Sequence, residues 1–263
     1  MAGSSLPSPD AVGIDVGNTR IKLYPLWRDA QSASASDLQQ LSTDQRSPEL
    51  LLRLMTDAWG QVPETVHVVS VDPDFTQALQ LMDAAEGLNL VVWNVDHPIP
   101  IAHPYECPET LGVDRLLVAL AARVLHPGAN VVVVDAGTAV TIDLVLANGS
   151  FAGGAIAPGL SALGAALAGA GRQLPAVDLQ KQAPYPGVST ASCLNIGIRA
   201  AFEGALRGLV RVALGRVDEA KIVVTGGDAE VAANALQSYE VEQETDLILL
   251  GFQELERVHV GAN

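Results

Sequence analysis

The sequence predicts an α/β fold built as two similar halves with mixed sheets, and three observations carry that prediction. The first is Val131–Leu146, VVVVDAGTAVTIDLVL, where four valines read as a strand buried on both faces. An Asp-Ala-Gly-Thr turn leads into a second strand, with Val140, Ile142, Leu144 and Leu146 on one face and Thr141 and Asp143 on the other. The second is residues 11–26, AVGIDVGNTRIKLYPL, in which Asp15 and Gly17 align without gaps with Asp135 and Gly137 at an offset of 120 residues. One such turn is an ordinary hairpin with a polar tip; two in register suggest a duplicated domain. The third is the order of elements, since hairpin strands followed by alternating helices and strands occur twice.

Residues 1–10 are rich in Ser and Pro and are expected to be a disordered tail. Strands follow over 11–16 and 20–26. Residues 28–48 are polar with little pattern, leaving room for one weakly signalled strand and a loop. Ser47-Pro48-Glu49 marks a helix start with Ser47 as cap, and Gly60 lies near that helix's end. Strands are expected over 66–71 and 88–93, with a helix over 75–86 between them after the Asp72-Pro73-Asp74 turn. The four prolines of His97–Pro108 exclude a continuous helix there. A helix over 111–125 follows, with Leu116, Leu117, Leu120 and Val124 inward, and Pro127-Gly128 marks a boundary. In the second half strands are expected over 131–135, 139–146, 150–157, 221–225 and 246–250. Helices are expected over 160–170, from about Ser189 to Gly215, over 228–236 and at the C-terminal end.

Composition bounds the function. The 263 residues are 49% hydrophobic but only 4% aromatic, so the cores are packed with Val, Leu and Ala. A net charge of −15 argues against a broad nucleic-acid surface. Cys107 and Cys193 form no C-x-x-C pair and show no metal spacing with histidine. The N-terminal segment lacks the basic and apolar regions of a signal peptide, and the apolar run from 160 to 171 is too short to span a bilayer. A cytoplasmic protein without membrane attachment is expected.

Four constellations bear chemistry. Two Asp-containing turns facing each other across a cleft would surround a triphosphate with backbone N–H groups, hydroxyls and amides; their carboxylates would need a metal between them and the phosphates, such as the Mg²⁺ that a nucleotide carries. Neither G-x-x-x-x-G-K-[ST] nor G-x-G-x-x-G occurs, which argues against P-loop and dinucleotide sites. In Thr110–Arg115, TLGVDR, a carboxylate at a helix start serves as base toward an alcohol and an Arg holds a carboxylate or phosphate. On spacing alone a capping acid plus a surface Arg is the preferred reading. Lys221–Asp228, KIVVTGGD, suits a flat ligand pressed on backbone or an ordinary strand-to-helix turn; Gly153–Gly159, GGAIAPG, permits close approach or plain sheet packing. The five histidines are scattered and read as non-catalytic.

Taken together, these stretches resemble the type III pantothenate kinases of the acetate and sugar kinase/Hsp70/actin superfamily, over nearly all of residues 11–255. The marks are Asp15–Thr19, Tyr105 with Leu111–Arg115, Asp135–Ala139 with Thr141 and Asp143, Gly153-Gly154, Pro158-Gly159 and Thr225–Gly227. The resemblance implies duplicated ribonuclease H-like (actin-like ATPase) domains with mixed sheets around a central cleft, over 11–128 and 129–255. It implies ATP-dependent phosphorylation of pantothenate, the opening step of coenzyme A biosynthesis. It assigns ATP to Asp15, Val16, Gly17, Asn18, Thr19, Arg20, Ile21 and Lys22 of the first phosphate loop and to Gly137 and Thr138 of the second. Asp135 falls at the position of a monovalent cation, K⁺ or NH₄⁺, alongside the Mg²⁺ of the nucleotide. Tyr105, Gly112, Val113, Asp114 and Arg115 match the pantothenate pocket, with Asp114 as proton acceptor, and Thr190 matches a substrate-contacting Thr in a looser context. A homodimer whose pocket borrows from the partner subunit is also implied. Two alternatives stand beside this reading: a nucleotide-binding regulatory relative without turnover, and a related kinase of another small hydroxy acid.

Overall fold

The structure, a computed structural model, describes residues 8–27, 39–42, 46–170 and 174–262. Most of the expected tail, 1–7, and most of the weakly patterned stretch, 28–38 and 43–45, lie outside the described residues. The chain divides into two compact units, one within Met1–Ile101, Tyr105–Ala121 and Asp246–Asn263, the other within Ala102–Pro104 and Ala122–Thr245.

The first unit is a five-stranded sheet in the order β3-β2-β1-β4-β5. Its strands are β1 (Ala11–Val16), β2 (Arg20–Leu26), β3 (Gln39–Ser42), β4 (Thr65–Ser70) and β5 (Leu90–Trp93). β1 is antiparallel to β2 and parallel to β4, so the sheet is mixed. Alternation sends Val12, Ile14, Val16, Ile21 and Leu23 to one face. There they meet Leu51, Met55 and Trp59 of α1 (Pro48–Trp59) and Phe75 and Leu79 of α2 (Pro73–Glu86). α1 starts as its sequence dictates: Ser47 accepts a hydrogen bond from the Leu50 N–H at 3.3 Å, Pro48 takes the first position, and Gly60 closes it in the left-handed region.

The opposite face of this sheet receives α7 (Leu247–Ala262). Gly13 stands in register between Tyr24 and His67, and the Phe252 ring fills the space that a side chain at position 13 would occupy. One turn on, Glu256 reaches the fully buried His67, Nε2 to Oε2 at 2.8 Å. Trp93 Nε1–H donates to His67 Nδ1 at 3.1 Å. These partners fix the tautomer: Nδ1 accepts, so Nε2 carries the proton and donates to Glu256.

The second unit repeats the same wiring, β10-β9-β6-β7-β8. Its strands are β6 (Val131–Ala136), β7 (Ala139–Val145), β8 (Phe151–Pro158), β9 (Lys221–Thr225) and β10 (Glu242–Gln243). Replacing β1 to β5 by β6 to β10 reproduces both the order and every parallel or antiparallel sense. Val132, Val134, Val140, Ile142, Ile222 and Val224 pack on α4 (Leu160–Ala170), α5 (Thr190–Leu214) and α6 (Ala229–Ala235). In chain order α3 (Val113–Leu125) comes after β5 and before β6, preceded by a 3-10 turn over Pro108–Thr110.

Three local expectations are corrected. Residues 246–250 are not a strand: β10 is the two-residue Glu242–Gln243, and Leu247 already begins α7. The helix expected from 111 starts at Val113, because Leu111 is extended after the 3-10 turn. Val124 is 45% exposed and does not face the core.

Candidate functional site

The candidate residues fall into three groups, described separately. The first is the β1–β2 turn. The ladder pairs Asp15 with Lys22 and Val16 with Ile21, leaving a four-residue tip, Gly17–Arg20, closed by the Gly17 N–H to the Arg20 carbonyl at 3.0 Å. Asp15 is 9% exposed, whereas Asn18, Thr19 and Arg20 are exposed and Lys22 is half-buried. Val16 and Ile21 turn into the core, so whatever they offer a ligand is backbone. A residue that the sequence did not single out braces this tip. Arg46 Nη2 donates to the Gly17 carbonyl at 2.6 Å and the Asn18 carbonyl at 3.1 Å, and its Nη1 pairs with the Asp72 carboxylate. Asp72 in turn caps α2, its Oδ1 accepting from the Phe75 N–H at 3.0 Å. Position 46 lies in the stretch of least pattern, and its acceptors are main-chain oxygens 28 and 29 residues away, so no spacing signals it.

The second group sits at the head of α3. Gly112, Val113 and Asp114 are half-buried and Arg115 is 8% exposed. Asp114 Oδ1 accepts from the Arg115 N–H at 2.9 Å, curling the carboxylate back over the first turn. Gly112 makes room for it, because a Cβ there would lie 2.5 Å from that oxygen. Arg115 Nη1 donates to the Tyr105 hydroxyl at 3.1 Å. Tyr105, Asp114 and Arg115 are therefore brought together from the Pro-rich stretch and the helix start. A carboxylate on the first turn also meets the positive end of the helix. The acid on the first turn is the one that spacing suggests, but the surface Arg expected beside it is corrected: Arg115 is buried at 8% exposure, its guanidinium turned to Tyr105.

The third group surrounds the end of β6. Here the ladder pairs Asp135 with Thr141 and Ala136 with Val140, so the tip, Gly137–Ala139, is one residue shorter than the first. Gly137 N–H closes it on the Ala139 carbonyl at 3.0 Å. Two glycine segments press against it. Gly159 donates its N–H to the Thr138 carbonyl at 3.0 Å, and a Cβ on Gly159 would fall 2.6 Å from that oxygen. Gly226 adopts φ +95°, open only to glycine without strain, and a Cβ there would lie 2.5 Å from both Asp135 Oδ1 and the Ala136 carbonyl oxygen. Asp228 N–H completes the contact on the Ala136 carbonyl at 2.9 Å. The TGGD and PG stretches thus converge on the DAGT turn, whereas Gly153 and Gly154 serve the β7–β8 ladder. Beside them, Leu160, Ser161, Gly164, Leu179 and Asp228 help to line a cavity of about 390 Å³. Thr190 is exposed as the first residue of α5, after Ser189 and Ser192 form a capping box.

Among the described residues no group of three or more His, Cys, Asp or Glu side chains is arranged to hold a metal ion. A divalent ion acting here would take most of its ligands from a nucleotide's phosphates and water. No helix of the described residues is long and apolar enough to cross a membrane.

Comparison with known proteins finds relatives in sequence and in structure. The sequence profile of the type III pantothenate kinases matches residues 11–212. The type III pantothenate kinase of Rhodopirellula baltica is 37% identical over 251 residues, covering 86% of this chain and 90% of that protein. That of Cereibacter sphaeroides is 36% identical over 247 residues, covering 91% and 95%. Among solved structures, a conserved putative Baf family transcriptional activator from Campylobacter jejuni superposes with a TM-score of 0.63 at 19% identity, covering 95% of this chain and 99% of that one. A ROK family glucokinase from Streptomyces griseus, solved with glucose and AMPPNP, gives a TM-score of 0.54 at 13% identity over 93% and 98%. At these identities the structural likenesses show the fold alone, which is that of sugar kinases and actin homologues.

Proposed function

The chain belongs to the type III pantothenate kinase family, and from that premise we propose how its residues divide the work. The activity is ATP-dependent phosphorylation of pantothenate to 4′-phosphopantothenate, the first step of coenzyme A biosynthesis. The observation that carries the assignment of roles is the Tyr105–Arg115–Asp114 arrangement at the head of α3.

In the proposed mechanism Arg115 binds the pantothenate carboxylate, with its guanidinium held by the Tyr105 hydroxyl. Asp114 accepts the proton of the primary hydroxyl as that oxygen bonds to the γ-phosphorus and the bond to the β,γ-bridging oxygen breaks, releasing ADP. Phosphoryl transfer rests mainly on positioning and charge neutralisation, which the two turn loops serve with backbone N–H groups and hydroxyls. Asp15 would help to position the Mg²⁺ carried by the nucleotide, which would neutralise phosphate charge. A monovalent cation, K⁺ or NH₄⁺, is proposed at Asp135; the donors gathered there, its carboxylate and the nearby backbone carbonyls, are all oxygen, as such an ion requires. Asp15, Asp114, Arg115 and Asp135 are all present, which favours turnover over a silent nucleotide-binding role.

The enzyme is proposed to act in the cytoplasm as a homodimer. Tyr185 and Val188, 86% and 93% exposed just before Thr190, suit a partner-facing segment that places Thr190 at a shared pocket. Light scattering should give about twice the 27.4 kDa chain mass, and a fully active monomer would overturn the shared pocket. The central test is an ADP-release assay with ATP and pantothenate, gluconate or acetate, in Tris–Mg²⁺ with and without K⁺. Turnover with pantothenate alone, dependent on K⁺ or NH₄⁺, is expected. Equal rates with gluconate would overturn the substrate reading, and full activity without either ion would overturn the Asp135 site.

A further inference from the structure

We infer that Arg46 is a positioning residue of the kinase, holding the first phosphate loop in the orientation that presents its amides to ATP. The inference rests on the reading of residues 15–22 as that loop. Arg46 donates to two successive carbonyls, those of Gly17 and Asn18, while its other terminal nitrogen is anchored on Asp72. The Tyr185–Pro186 bond is the one cis peptide bond of the described residues, so the bonds joining Gly17, Asn18 and Thr19 are trans. In a trans peptide the C=O of one residue and the N–H of the next point to opposite sides. Two carbonyls turned toward the guanidinium therefore turn the Asn18 and Thr19 N–H groups away from it. Successive N–H groups aimed to one side form an anion-receiving concavity. Left alone, a four-residue tip containing Gly17 has access to other peptide orientations, some of which would put carbonyl oxygens where phosphate oxygens must lie.

The second repeat supports the inference independently. Its shorter tip has the same need, and there the Gly159 N–H donates to the Thr138 carbonyl. Gly159 immediately precedes α4, the helix after the third strand of its sheet; Arg46 immediately precedes Ser47, the cap of α1, the helix after the third strand of the other. The same place in the duplicated fold thus supplies a donor to the loop carbonyls in both copies, a guanidinium in one and a main-chain amide in the other. A guanidinium is suited to the longer tip because its planar fork bridges two carbonyls and a carboxylate at once, which an ammonium cannot do with the same geometry.

The test is steady-state kinetics of the full-length enzyme with Arg46→Ala, Arg46→Lys, Asp72→Asn and, as a probe of the loop itself, Lys22→Ala. Hydrogen bonds to charged groups are strong enough that Arg46→Ala should raise KM for ATP about tenfold or more. KM for pantothenate should stay within about twofold of wild type, a split that general loss of structure would not give. Arg46→Lys should recover part of the loss, and low-millimolar guanidinium ion should partly restore Arg46→Ala. Asp72→Asn keeps the cap on Phe75 but removes the anionic anchor. It should raise KM for ATP in the same direction, and it carries the test should Arg46→Ala fold poorly. If Lys22→Ala raises KM for ATP while the Arg46 and Asp72 variants do not, the loop reading stands and the role of Arg46 falls. If none of them changes it, the loop reading itself is wrong. A lowered melting temperature with both KM values unchanged and no guanidinium rescue would reduce Arg46 to a structural brace.

Discussion

Exchanging Asp114 for Asn separates the two things that this carboxylate does. Oδ1 accepts the Arg115 N–H at 2.9 Å, and an Asn amide oxygen can stay in that place, so the turn over Gly112 is kept. What is lost is the charge on the first turn of α3, worth about 0.3–1 kcal/mol against the helix dipole. For a chain of this size that is a fall in melting temperature of roughly 1–4 °C. Catalysis should suffer far more, because the amide cannot take the alcohol proton. The expected fall in kcat is about 10²- to 10⁴-fold, the range of general-base catalysis. ATP affinity should be nearly unchanged, since the phosphate turns belong to other segments. The assay is kcat, nucleotide binding and thermal melting on one variant. A kcat near wild type would show that Asp114 is a cap and nothing more. A loss of kcat that tracks a large loss of melting temperature would equally refute the base.

Two further substitutions probe the arrangement. Tyr105→Phe removes the acceptor of the 3.1 Å bond from Arg115 and should raise KM for pantothenate about tenfold with kcat less affected; an unchanged KM would show that Arg115 needs no such partner. Phe252→Ala empties the space between Tyr24 and His67 above Gly13, costing about 3–5 kcal/mol as buried Phe truncations do. The melting temperature should drop by roughly 6–20 °C, and a shift under two degrees, by about that same scale, would mean that α7 is not held there.

The parts of the fold legible in the sequence are those where a short period meets a turn residue. Residues 11–26 and 131–145 are apolar strand runs broken at Gly17 and Gly137 by short polar turns, so both hairpins follow, and the offset of 120 points to the duplicated sheet order. The run Leu247–Leu250 misleads because four apolar residues in a row fit a buried strand as well as a helix buried on more than one side. Its continuation settles the matter, since Phe252, Glu256 and His259 recur at helical spacing on the face that meets Gly13 and His67. β10 carries no signal, being two exposed residues fixed by pairing with Val223 and Val224. At the site, Asp15 and Asp135 stand out because a carboxylate closing an apolar strand before a glycine turn is costly without a partner, whereas Asp114, an acid in a first helical turn, is ordinary by spacing and stands out only through the family resemblance. Arg46 does not stand out, because what it recognises is main-chain oxygen, and any sequence has that.

The two hairpins share a frame and differ in how they handle charge, and that difference bears on the proposal of a monovalent cation at Asp135. Directly opposed residues on neighbouring antiparallel strands bring their Cβ atoms within about 4.5–5.5 Å. Opposite Asp15 stands Lys22, and the same turn carries Arg20, whereas the charge of Arg46, on the carbonyl side of the turn, is paired with Asp72. The first loop therefore brings its own fixed positive charges to a polyanionic ligand. Opposite Asp135 stands Thr141, and what presses on that loop is the backbone of Gly159, Gly226 and Asp228. Main-chain amides attract phosphate oxygens but do not cancel a carboxylate beside them. Two unit charges of one sign about 4 Å apart repel by about 4 kcal/mol at an effective dielectric of 20. A cation bound at the proposed Asp135 site would remove that repulsion in the second repeat, while in the first Lys22 and Arg20 stand in its place.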